Sequence, residues 1–79
     1  MRLNVNDKET FQTIYQSSSY ILRTLMSKDE IRAAERLANA GVIQKGRPDE
    51  KGAGRVMYYF DEKMAEYKNN MLLNELTEI

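Results

Sequence analysis

Four residues with side chains suited to base recognition recur at helical spacing in SKDEIRAAERLANAG: Lys28, Arg32, Arg36 and Asn39. Arg32 and Arg36 stand one turn apart and Asn39 is the next step along the same stripe, with Glu35 among them. Arginine and asparagine make paired hydrogen bonds to guanine and adenine edges, so this face has chemistry suited to a major groove. Ala33, being small, is expected to face outward and allow close approach. A second cluster lies in KGRPDEKGAGR, where Lys45, Arg47, Lys51 and Arg55 surround a glycine-rich turn and can reach phosphates or a minor groove. Asp49 and Glu50 share that turn and repel phosphate unless they point away. Taken singly, each cluster also fits a solvated surface: Arg32 can pair with Glu35, and the turn can be an ordinary polar loop.

The elements that must carry these residues can be read from capping and periodicity. Ser27 with Glu30 makes an S-x-x-E capping box, Ile31, Ala34, Leu37 and Ala38 form an inner face, and Gly41 supplies a left-handed stop. Val42–Lys45 begins a strand. Residues 46–54 hold the only proline and three of the four glycines, the composition of a turn. In Arg55–Phe60, Val56, Tyr58 and Phe60 alternate with Arg55, Met57 and Tyr59, which predicts a second strand and so a hairpin. Upstream, Met1–Val5 reads as a short strand or an arm. Asn6 and Glu9 predict a helix start. Phe11, Ile14, Tyr15, Ser18, Ile21, Leu22, Leu25 and Met26 continue at three- and four-residue steps. The run Ser17-Ser18-Ser19 sits within that pattern as the place for a break or kink, leaving either one helix of about twenty residues, favoured by the unbroken phase, or two short ones. Asp61–Ile79 reads as a final helix.

The expectation is therefore an α+β chain with the order of a small winged helix. It has an N-terminal helix or two short helices, a recognition helix, a two-stranded β-hairpin wing and a C-terminal helix, with residues 1–60 as the winged-helix domain and 61–79 as the terminal helix. Charge distribution is compatible with a nucleic-acid partner. The whole chain is neutral, but residues 1–60 carry ten Lys or Arg against seven Asp or Glu, and residues 61–79 carry two against five. The terminal stripe of Met64, Tyr67, Met71, Leu72, Leu76 and Ile79 can cover the chain's own core or pair with a partner helix. MLLNELTEI is unusually apolar for a terminal helix, which favours a homodimer that sets two recognition helices on one palindromic site.

Other function classes are poorly served. The chain has no cysteine and no histidine, no P-loop, no dinucleotide-binding turn and no carboxylate pair placed in a cleft, so neither an enzyme nor a cofactor or metal is expected. No apolar run reaches the length of a membrane span, and MRLNVNDKET lacks the apolar core of a signal peptide, so a cytoplasmic location is expected.

Ile31–Phe60 resembles the recognition helix and wing of MarR-type transcriptional regulators. The resemblance rests on Leu37-Ala38-Asn39-Ala40-Gly41-Val42-Ile43 at the helix end and on Arg47-Pro48-Asp49 in the basic turn. It implies Lys28, Arg32, Arg36 and Asn39 in the groove-facing role, with Arg47, Lys51 and Arg55 on the wing. Glu35 on the groove face departs from that pattern, as does the absence of a glycine in Leu25-Met26-Ser27-Lys28. The chain is also too short for that family's ligand pocket and long dimerisation helices, which points to a minimal regulator of the kind a phage or mobile element encodes. The alternative is a protein-interaction module on the same fold, such as a phage-encoded inhibitor of a host protein; Glu35 and the acidic tail suit it.

Overall fold

The computed structural model describes residues 3–17, 20–46 and 55–77, with backbone alone for residues 66–70. Helix α1 (Val5–Gln16) opens on Asn4 rather than on Asn6. The Asn4 side chain accepts from the Asp7 N–H at 2.8 Å, and the Asp7 carboxylate accepts from the Asn4 N–H at 3.1 Å. The same spacing occurs at Asn6 and Glu9, but only the first box has tertiary support: Asp7 is fully buried and also accepts from Arg36. The chain over 1–5 is thus neither a strand nor an arm where it is described, because Asn4 and Val5 begin the helix.

Helix α1 stops before the serine run. Ser17 takes an extended conformation, and both its backbone N–H and its hydroxyl donate to the Ile14 carbonyl, at 3.2 and 2.8 Å. That local competition ends the helix. Neither one long helix nor two short ones follows; instead there is a strand β1 (Ile21–Leu22) and a single 3₁₀ turn (Arg23–Leu25). Helix α2 (Lys28–Asn39) has the expected Ser27–Glu30 box, with bonds of 3.2 and 2.9 Å, and Gly41 follows at φ 83°. Val42 and Ile43 are buried ahead of strand β2 (Gln44–Gly46), which starts later than expected. Strand β3 (Met57–Tyr59) and helix α3 (Glu62–Thr77) follow. Residues 47–54, and with them Arg47, Lys51 and most of the hairpin turn, lie outside the described residues.

The three strands form one antiparallel sheet in the order β1-β3-β2, with Ile21 opposite Tyr58, and Lys45 opposite Tyr58 on the other side. Among the described residues this is a small α+β fold with four helical elements, counting the 3₁₀ turn. The core gathers Phe11 and Ile14 of α1, Ala34 and Leu37 of α2, Val42, Ile43 and Tyr58, and Ala65, Leu72, Leu73 and Leu76 of α3. Burying each large apolar side chain contributes about 1.5–3 kcal/mol, so Phe11, Ile14, Leu37 and Leu76 anchor the packing. Phe11, Tyr15 and Phe60 add an aromatic cluster with ring centroids 4.9–5.7 Å apart, joining α1 to the end of β3. Two polar links close the shell. Gln12 donates to the Leu76 carbonyl at 3.1 Å, and the buried Gln44 accepts from the Asp61 N–H at 2.6 Å.

Asp7 serves both the α1 cap and the α1–α2 contact. Its replacement by alanine should destabilise the protein by about 2 kcal/mol in urea unfolding, combining a lost cap with a partly exposed charged hydrogen bond. Asn6→Ala, at an exposed position, should change stability by less than about 0.5 kcal/mol in the same measurement.

Candidate nucleic-acid interface

Helix α2 is held on three sides and open on the fourth. Ala33, Ala34 and Leu37 are its buried side. Ala33 was expected to face outward, but it is fully buried; it lies about 140° round the helix from Lys28, at 100° per residue, on the core side. Ile31 and Ala38, expected inside, are only half-buried at the margin.

On the flank toward α1, Arg36 donates to Oδ1 of Asp7 through Nε at 3.0 Å and Nη2 at 2.6 Å. Arg36 therefore braces two helices, although its side chain remains 45% exposed. On the flank toward the sheet, Glu35 is turned away from the open face. Its Oε1 accepts from Lys45 Nζ at 2.8 Å and its Oε2 from the Tyr58 hydroxyl at 2.7 Å. The bonds from Lys45 and Tyr58 hold the Glu35 carboxyl below its ordinary range, with Arg23 adding a weaker attraction. Burial and the adjacent carboxylate push Tyr58 up to about 12. Lys45, expected among the phosphate-contacting residues, has one donor occupied by Glu35.

What remains on the open side is Lys28, Arg32 and Asn39, all exposed. Arg32 lies 3.6 Å from Asp29, but both side chains are 72% exposed, so the pair is worth only about 0–1 kcal/mol and leaves the guanidinium available. Arg55 is exposed on the turn side of the hairpin, two residues before β3. The structure thus brings Lys28, Arg32 and Asn39 onto one outward stripe and places Arg36 and Lys45 at its two borders in intramolecular contacts. The Asp7–Arg36 and Glu35–Tyr58 pairs carried no local signal, because their partners lie 29 and 23 residues apart. Among the described residues, no group of three or more His, Cys, Asp or Glu could hold a metal ion, and no helix is long and apolar enough to cross a membrane.

Of the apolar terminal residues, Leu72 and Leu76 are buried in the chain's own core, whereas Met64 is 43% and Met71 87% exposed. Met64 and Met71 stand two turns apart on one side of α3. The Tyr67 side chain and Ile79 lie outside what the structure describes.

The Glu35–Tyr58 pair predicts opposite responses at the two ends of the pH scale. Glu35 has a folded-state value below its unfolded one. Its contribution is complete above the unfolded range and is lost as pH falls below about 4; Glu35→Gln should flatten that acid limb in thermal unfolding. Tyr58 has a raised folded-state value, so its contribution is complete below about 10 and is lost as pH rises toward 12. In an ultraviolet titration of tyrosinate, one of the five tyrosines should ionise last, and Tyr58→Phe should remove that step.

No protein-family model, curated protein or solved structure matches the chain.

Proposed function

We propose that this chain is a small winged-helix transcriptional regulator that binds double-stranded DNA sequence-specifically, with α2 in the major groove and the β2–β3 hairpin as the wing. The observation that carries this reading is the treatment of α2. Its core side and both flanks are tied down, while Lys28, Arg32 and Asn39 stand exposed in one stripe. The element order α1, β1, 3₁₀ turn, α2, β2, β3, α3 supports it, with the 3₁₀ turn in place of the short helix that ordinarily precedes a recognition helix. Arg55 on the turn side of the hairpin, together with the Arg47 and Lys51 of the sequence, gives the wing cations for the phosphate backbone. Arg36 acts in this reading as a brace for the recognition helix.

Arg32→Ala and Asn39→Ala should each weaken binding to a selected duplex by about 1–3 kcal/mol and relax its sequence preference, while Lys28→Ala should weaken all duplexes alike. Fluorescence anisotropy on selected and random duplexes checks this. A chain that retains the same site preference after Arg32→Ala loses the assignment. A specific observation favours a second reading if the protein shows no affinity for duplex DNA at low salt: Leu25, 78% exposed just before α2, then marks a protein-contact surface beside the same helix.

Two copies paired through the outer side of α3 would place two α2 helices on one duplex. Met71→Lys should then keep the fold but shift sedimentation to a monomer. Leu76→Ala should instead cost about 2–5 kcal/mol of protomer stability, because Leu76 is fully buried.

A further inference from the structure

The face of the sheet that meets α2 has a basic depression at its open end. Strand alternation and register place its residues. Tyr58 points toward α2, since its hydroxyl reaches Glu35, and Ile21 and Lys45 lie directly opposite Tyr58 and share that face. Two residues further along, Arg23 and Val56 return to the same face; the Arg23 N–H donates to the Val56 carbonyl at 2.8 Å and prolongs the ladder beyond β1. Arg23, Lys45, Gly46 and Val56 line one depression. Arg23 sits near enough to Glu35 to help hold that carboxyl ionised, yet among the described residues its guanidinium forms no ion pair.

The chemistry of this depression suits a singly charged phosphodiester. Among the described residues, two cations and one carboxylate leave a local charge of +1. Both Glu35 oxygens already accept hydrogen bonds, from Lys45 and Tyr58. A lysine ammonium has three donors, so the one bond to Glu35 leaves two. The Arg23 guanidinium supplies a planar fork that matches phosphate oxygens. Val56 offers an apolar wall beside them.

We infer that Arg23 and Lys45 form a phosphate subsite on the sheet face beside α2, which takes a backbone phosphodiester of the nucleic acid docked on that helix. The inference rests on the DNA-binding reading above and adds Arg23, a residue of neither the recognition helix nor the hairpin. A contact of this kind carries no sequence information; it fixes the register of α2 over the groove.

Salt dependence separates the subsite from the reading it rests on. Binding of the full chain to selected and random duplexes is measured from about 50 to 200 mM salt, for the unmodified protein, Arg23→Gln and Arg23→Lys. Arg23→Gln should bind both duplexes about tenfold more weakly at low salt, the scale of one charge-assisted hydrogen bond. The slope of log K against log salt should fall by about 0.9, the release of one phosphate's counterions. Arg23→Lys should keep the slope. In the unmodified protein the Arg23 Nε–H resonance should shift on titration with random duplex, which tests the contact without any substitution. An unchanged slope in Arg23→Gln, a loss confined to the selected duplex, or a stationary Arg23 resonance overturns the subsite while leaving DNA binding by α2 intact. Absence of salt-dependent duplex binding by the unmodified protein overturns both.

Discussion

Tyr58 is the point on which the arrangement of α2 depends. Its ring is fully buried in the middle strand, between β1 and β2, and its hydroxyl leaves the core to meet Glu35 of α2. A tyrosine hydroxyl in that position needs a partner, because leaving it unpaired would cost about 1–3 kcal/mol. Glu35 provides one, and Lys45 on the neighbouring strand provides the charge that keeps a carboxylate stable there. Sheet and helix are thereby fixed in rotation as well as in distance, which apolar packing by Ala34 and Leu37 alone would specify less sharply.

The opposite flank is held by a contact of the same type. Arg36 reaches Asp7, a carboxylate that also completes the α1 cap and has no exposure to solvent. Three residues that look interchangeable on the helix surface therefore have different roles. Arg36 and Glu35 tie α2 down at its two borders, and Arg32, paired only loosely with Asp29, stays available. A neutral chain can still present a cationic stripe by this means, since Glu35 is turned toward the sheet and neutralised by Lys45.

Helix α3 divides its apolar residues in the same way. Leu72, Leu73 and Leu76 complete a core that a chain of this size cannot otherwise fill, while Met64 and Met71 remain outside it. The buried side of α3 packs on α1 and the core, and Gln12 of α1 ties its C-terminal turn through the Leu76 carbonyl.

The sequence by itself determined the features set by local chemistry. Ser27 and Glu30 cap α2, Gly41 ends it because a left-handed residue is needed there, and alternation over 55–60 marks the buried Tyr58. The outward stripe of Lys28, Arg32 and Asn39 was legible for the same reason: helical spacing alone defines a face. Only the tertiary structure moved the start of α1 from the expected Asn6 to Asn4, whose capping partner Asp7 is held by Arg36 from 29 residues away. It also decided that the in-phase residues Ile21 and Leu22 form a strand, since their partners Tyr58 and Met57 are distant in the chain and periodicity cannot see them. The inward position of Ala33 follows from helical spacing, about 140° from Lys28, but the retreat of Glu35 and Arg36 from the open face has that tertiary cause. Which polar residues stay free depends on which ones the packed neighbours engage, and that is a property of the assembled fold.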